Sequence, residues 1–174
     1  DDLVNKEQVQ RSVDRYHWAS TFCNKKTVLE VACGTGQGLG FLSQVSKRLI
    51  AGDFSRDILD VTQAHYGSRI DLFQLDAQHL PFANNSMDVV ILFEAIYYVP
   101  DVDLFIKECH RVLRPEGKIL IATANKDLSD FNPSPHTHKY FGVLELKDIL
   151  DRNGVSSEFF GNTIVSELSM IQRL

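Results

Sequence analysis

The 174-residue chain is short of three things, and each shortage removes a class of protein. Basic charge is the first: 18 Lys and Arg stand against 23 Asp and Glu, a formal net charge of −5, and no basic run exceeds Lys25-Lys26. A nucleic-acid partner, which favours clustered Lys and Arg, is therefore not expected. Long apolar runs are the second: none approaches the length that crosses a bilayer, so no membrane span is expected. Cysteine is the third. Cys23, Cys33 and Cys109 are an odd number at wide spacing and fit neither a disulfide framework nor a zinc pattern. They read as reduced, mostly buried thiols; a reducing cytoplasm is the expected compartment, and no metal is expected.

What remains is ordinary globular material, 44% hydrophobic and 24% charged, long enough for one domain with its own core. The chain opens on Asp1 without Met, as a processed or trimmed chain would. Its most informative stretch is Val28–Gly36. There an apolar run carrying Glu30 breaks into small residues with Gly34, Gly36, Gly38 and Gly40. The run reads as a buried strand, and the glycines as a tight turn whose backbone can approach a ligand at the sheet's carboxyl edge. Two phosphate-binding readings fail on spacing. The dinucleotide fingerprint needs glycine at the first, third and sixth turn positions, but the sixth is Leu39 counted from Gly34 and Phe41 counted from Gly36. A P-loop needs Gly-Lys followed by Ser or Thr, and no such sequence occurs here.

Strands and helices alternate along the rest. A polar helix over 5–22 precedes a strand over 26–32 and a helix over 37–46; a strand over 48–54 leads through Ser55, a predicted N-cap, into a helix ending near Tyr66. A third strand spans 69–75, and the unbroken run 87–93 suits a sheet covered on both faces. A helix over 101–113, a turn at Pro115-Glu116-Gly117 and a strand over 118–124 follow. A polar loop then leads to a helix over 144–152, ended by Asn153-Gly154, and to a sixth strand over 155–160. The tail 163–174 reads as helix. Alternation with short joins predicts a doubly wound, mostly parallel α/β sheet with helices on both faces.

Val28–Gly36 resembles the first motif of class I S-adenosylmethionine-dependent methyltransferases, in their small-molecule branch. Residues 49–55, 75–82 with 86–90, and 111–121 resemble the later motifs in the family's order. The resemblance implies a Rossmann-like fold, S-adenosyl-L-methionine as cofactor, and a methyl group passed to a small-molecule acceptor. It divides the chain into an N-terminal helical lid, 1–24, and a cofactor-binding domain, 25–174, whose last strand is not legible. Ala32 stands where many members have glycine, and this suggests that the position does not need positive φ.

The resemblance also assigns roles. Glu30, Asp53 and Asp76 fall at the ends of three strands, where open α/β sheets bind ligands. Asp53 matches the ribose acid; Phe54 would lie against adenine; Asp76 and the backbone of Ala77 match the adenine-amino contact. Gly34 and Gly36 would pass beneath the methionine part, Glu30 would fix that turn, and Phe93 would offer backbone near the methionine amino group. The competing reading of Asp53 is a helix cap. Candidates for catalysis are Tyr97, His136 and His138, with Glu94 and Tyr98 nearby, against packing for the tyrosines and a solvated loop for the histidines. Tyr16 and Trp18 read either as a lid over the cofactor or as a staple onto the core. The alternative function is a non-catalytic cofactor- or partner-binding protein of the same fold. A nicotinamide oxidoreductase is weakened by the glycine spacing. Arsenic methylation assisted by Cys23, Cys33 and Cys109 is weakened by their scatter.

Overall fold

The computed structural model describes residues 6–129 and 131–161. In chain order its elements are α1 Lys6–Cys23, β1 Thr27–Val31, α2 Leu39–Val45, β2 Arg48–Asp53, α3 Arg56–Tyr66, β3 Asp71–Gln74, β4 Met87–Phe93, α4 Val102–Val112, β5 Leu113–Ala122 and α5 Val143–Arg152. The strands form one sheet of five in the order β3-β2-β1-β4-β5, and every pair is parallel.

Strand periodicity assigns the core to two layers. Leu29, Val31, Ile50, Val90 and Leu92 face a cluster completed by Phe105, Ile106 and Cys109 of α4 and by Leu146, Ile149 and Leu150 of α5. Val28, Leu49, Ala51, Val89, Ile91 and Phe93 point the other way, onto Ala19 and Cys23 of α1, Leu39 and Leu42 of α2, and Leu59 and Tyr66 of α3. A sheet covered on both faces explains why β4 reads Met-Asp-Val-Val-Ile-Leu-Phe with so little alternation.

Local signals act where the sequence places them. Ser55 caps α3 by accepting the Ile58 amide, and Asp101 caps α4 by accepting that of Leu104. At the end of α5, Gly154 takes φ +73 and donates to the Asp151 carbonyl, while Val155 donates to that of Leu150, the paired bonds of a Schellman cap.

Two expectations are corrected. The turn at Pro115-Glu116-Gly117 lies inside β5: Met87 pairs with Leu113 and Val89 with Lys118, so the intervening residues bulge out, with Glu116 at φ +66. The expected sixth strand over 155–160 is absent. Val155 and Ser157 are half-buried in alternation, but no ladder partner lies beside them among the described residues, and Phe159 and Phe160 are exposed. Alternation supplies a face, not a neighbour to pair with. The expected helix over 163–174 lies outside the described residues.

Candidate functional site

The strand order reverses between β1 and β4, which opens a crevice at the carboxyl ends of these two strands. The loop after β1 enters it in an unusual conformation. Ala32, Gly34 and Gly36 all have positive φ, at +55, +56 and +80. For Ala32 this overturns the expectation: the chain turns sharply on leaving β1 so that Cys33 can donate to the Gly52 carbonyl, and alanine accepts the left-handed strain. At Gly34 a side chain would meet nothing within 4 Å, so this backbone faces open space. Gly36 is the opposite case, because a Cβ would lie 2.8 Å from the Tyr66 ring and 2.9 Å from the Thr62 methyl.

Those two α3 residues hold the loop from behind. Thr62 Oγ1 donates to the Gly34 carbonyl (2.8 Å), and the buried Tyr66 hydroxyl donates to that of Gly36 (2.6 Å) while accepting the Gly40 amide (3.1 Å). Neither appears among the expected site residues. Their spacing of four on a helix, with a hydroxyl on each, is the only trace they leave in the sequence.

Asp53 ends β2 beside this loop. Its Oδ2 accepts the Gly34 amide and its Oδ1 the Ser55 amide, each at 2.9 Å. The cap of α3 is Ser55, so Asp53 does not cap that helix; it ties the first loop to the second. Phe54 is 75% exposed at the same edge. Asp76 lies two residues beyond β3, with Ala77 half-buried behind it. Partial burial opposes its ionisation, but the amide and side chain of Gln78, together with His79, outweigh burial and hold the carboxyl below its usual range.

Glu30 departs from its expected role. It lies within β1, 2% exposed, and its carboxylate meets α1 rather than the turn. Oε1 accepts the Tyr16 hydroxyl at 2.6 Å; Oε2 is buried without a hydrogen-bond partner. Burial lifts this carboxyl to about 7, against the lowering effect of the Tyr16 hydrogen bond. Burial, with Glu30 adding to it, pushes the Cys23 and Cys33 thiols up to about 12. Cys109 lies in the opposite layer, so the three thiols share no site. Tyr16 itself fills the space over Gly38, where a Cβ would come within 2.0 Å of its ring, and meets Phe93 edge-on at 5.4 Å. Next to it, Arg15 pairs with Glu94 at 2.7 Å and stacks over Phe93. Trp18 behaves as a staple, packed on Phe22 and Phe160.

Phe93 and Glu94 carry the site from β4 to the far side of the crevice. Glu94 is left-handed (φ +50) and donates its amide to the Ala122 carbonyl. Tyr97 is buried, its ring against Tyr98 and Tyr140 and its hydroxyl 3.4 Å from Glu94 Oε2; burial, then Glu94, pushes its pKa up. His136 and His138 are exposed. Backbone, not imidazole, links this loop to Tyr97, whose carbonyl accepts the amides of His138 and Lys139. Among the described residues no group of His, Cys, Asp and Glu could hold a metal ion.

One further constellation connects two blocks the sequence lists separately. Arg111 donates to the carbonyls of Leu80 and Phe82 and to Glu108, and Glu108 in turn accepts the Leu80 amide. This clamp on α4 fixes the segment that follows Asp76. A cleft of about 280 Å³ lined by Thr27, Arg48, Phe82 and Met87 lies at the amino ends of the strands, beside the segment this clamp holds.

The geometry defines a doubly wound α/β domain in which the glycine loop after β1 is tied to Asp53 at the end of β2. Residues 29–121 match the family model described as a methyltransferase domain, and the chain belongs to that family. S-adenosylmethionine is the cofactor of this family. A Mycolicibacterium smegmatis protein named as a probable S-adenosylmethionine-dependent methyltransferase is 32% identical over 78% of this chain and 54% of its own. The demethylmenaquinone methyltransferase of Lactobacillus johnsonii is 27% identical over 88% of this chain and 78% of its own. Among solved structures, the YcgJ protein from Bacillus subtilis superimposes with a TM-score of 0.77 at 20% identity, covering 92% of this chain and 77% of that one, which shows the shared fold. The chain spans about half the length, or less, of several curated relatives that it matches. No helix among the described residues is long and apolar enough to cross a membrane.

Proposed function

We propose that the chain binds S-adenosylmethionine in the β1/β4 crevice and transfers its methyl group to a small organic acceptor in the cytoplasm. The observation that carries this reading is the bond from the Gly34 amide to Asp53. It sets an open, left-handed glycine backbone beside a carboxylate at two adjacent strand ends. In this reading the Asp53 oxygens have lone pairs left for the ribose hydroxyls, since each accepts only one amide. Phe54 offers its exposed face to adenine, and Asp76 with the Ala77 backbone receives the adenine amino group. Ala32, Gly34 and Gly36 lead the backbone beneath the methionine end, Glu30 lies behind it, and the Phe93 backbone borders it.

The bound cofactor supplies an activated methyl group. The protein's work is then to align an acceptor and keep water out. The helix over residues 6–23, within the 1–24 lid segment, contributes Arg15 and Tyr16 to the crevice and closes it on one side. Tyr97, His136 and His138 border the acceptor side and are the candidates for moving a proton when the acceptor must lose one. A relative named for demethylmenaquinone supports an organic small-molecule acceptor.

Calorimetric titration with S-adenosylhomocysteine, with NADH as control, tests the reading. Micromolar binding of the first alone supports it; no binding of either overturns it. Binding without turnover across an acceptor panel moves the protein to the non-catalytic alternative.

A further inference from the structure

The turn that carries Asp76 has little structure of its own to hold it in place. The crossover from β3 to β4, residues 75–86, contains no helix, although connections between parallel strands usually do. Within it, residues 76–79 close on themselves, the His79 amide donating to the Asp76 carbonyl at 3.0 Å. The flanks of this turn are tied to other elements. Before it, the Leu75 amide donates to the Asp53 carbonyl at 3.0 Å. After it, Leu80 is held at both of its peptide groups from α4: Glu108 accepts its amide and Arg111 donates to its carbonyl, each at 2.8 Å. All five N–H groups of Arg111 are engaged here, two on Glu108 and one each on Leu80, Phe82 and Asn84. At the other end of α4, the Asp101 amide donates to Gln78 Oε1 at 2.9 Å. The helix thus grips the crossover at two points, and neither grip closes on Asp76 itself.

The Asp76 carboxylate stands partly exposed on this frame. Its Oδ1 accepts the Gln78 amide at 2.8 Å, whereas the contact to Oδ2, from the His79 ring, is long at 3.5 Å. A carboxylate accepts from a purine amino group but opposes an oxo group at the same position, so its placement discriminates between two purines. Resting on the cofactor reading above, we infer that Arg111, with Glu108, is a positioning residue for purine selectivity. The clamp sets where the turn holds Asp76 Oδ2, and thereby which purine the crevice takes. The planar fork matters, because Arg111 spans two carbonyls, a side-chain amide and a carboxylate at once. A lysine ammonium, with three donors at one point, cannot span them. Arg111 acts through Asp76 and needs no bond to the ligand.

The test is calorimetric titration of the whole chain with S-adenosylhomocysteine and with S-inosylhomocysteine, in which an oxo group replaces the purine amino group. Wild type is expected to prefer the first by about tenfold or more, the scale of one hydrogen bond to a charged group. Arg111→Lys keeps the charge and loses the fork, and its preference is expected to fall below about threefold, chiefly through weaker binding of the adenosyl ligand. Glu108→Gln retains an acceptor for the Leu80 amide and serves as the second variant where Arg111→Lys does not fold; its preference is expected to fall in the same direction. In an Asp76→Ala background, Arg111→Lys is expected to leave the preference where Asp76→Ala has put it. A merely structural role would weaken both ligands in the same proportion. That result, or a wild-type preference kept by the folded variants, overturns the inference. Binding of both ligands by wild type without preference also overturns it and leaves the cofactor reading intact, whereas no binding of either overturns both.

Discussion

The Gly34 amide donates to Asp53 Oδ2 across 2.9 Å, joining the loop after β1 to the end of β2. The same carboxylate accepts the Ser55 amide, so one side chain organises two loops before any ligand arrives. Asp53→Ala removes both acceptors along with the proposed ribose contact. Affinity for S-adenosylhomocysteine is expected to fall by about 1–3 kcal/mol, and unfolding free energy by a similar amount, the scale of a lost charge-assisted hydrogen bond. Calorimetry and urea unfolding measure the two losses separately. Unchanged affinity removes Asp53 from the cofactor site whatever happens to stability.

Gly34 and Gly36 are both left-handed, yet their substitutions should fail differently. Gly36→Ala drives a methyl into the Tyr66 ring and the Thr62 methyl, which are pinned to this loop by their own hydrogen bonds. Strain and overpacking together should cost about 2–4 kcal/mol of stability, read as a lowered urea midpoint. Gly34→Ala meets no protein atom, so its cost should be near the roughly 1–2 kcal/mol of left-handed strain that Ala32 already bears. Its methyl would nonetheless enter the open space assigned to the cofactor. Gly34→Ala is therefore expected to fold and to bind S-adenosylhomocysteine at least tenfold more weakly, a ratio corresponding to about 1.4 kcal/mol. Wild-type affinity in this variant would place the ligand elsewhere.

Tyr66 holds the loop through a hydroxyl that both donates and accepts. Tyr66→Phe leaves the Gly36 carbonyl and the Gly40 amide without that partner in a buried setting, and should cost about 1–3 kcal/mol in urea unfolding. The ring remains, so its close approach to Gly36 is unchanged. A variant as stable as wild type would mean that the loop is held by its own turn.

Most of the fold was legible because helix and strand periods leave direct traces. The unbroken apolar run of β4 and the Ser55 cap stand in the structure where pattern and capping chemistry put them. The 155–160 segment failed because period-2 alternation is local, whereas a strand also needs a neighbour. Ala32 failed for a different reason. Residue identity suggested a relaxed backbone, but the bond from Cys33 to Gly52 fixes the turn and the residue tolerates it. Asp53 and the glycines stand side by side at strand ends, where the sequence places them. Tyr16, Thr62 and Tyr66 were not legible as partners of the loop, since contacts across 14 to 30 residues of chain carry no spacing rule. Glu30 was legible as part of the first strand, but its burial against α1 was not.

That burial has a consequence for the ligand-free protein. An unfolded glutamate titrates near 4.5, whereas folded Glu30 titrates at about 7. The folded state therefore binds more protons than the unfolded state between these values, and stability falls as pH rises through the interval. Above pH 7 the full cost is present, of the order of 3 kcal/mol for a fully buried group. Below pH 4 the side chain is protonated in both states and contributes no pH dependence. Paired carboxylates such as Asp103, held down to about 2 by Arg152 and Asn153, have the opposite slope, so the wild-type profile alone mixes the two. The difference between wild type and Glu30→Gln isolates the Glu30 contribution. The variant is expected to gain on wild type steadily from pH 5 to pH 7, reaching about 1–3 kcal/mol at pH 8, because Gln keeps an acceptor for Tyr16 and carries no charge to bury. Chemical unfolding at four pH values measures it. A difference that does not change with pH would mean that Glu30 keeps its charge throughout, and a Glu30→Gln variant less stable than wild type at pH 8 would mean that an ionised Glu30 is stabilised by its surroundings.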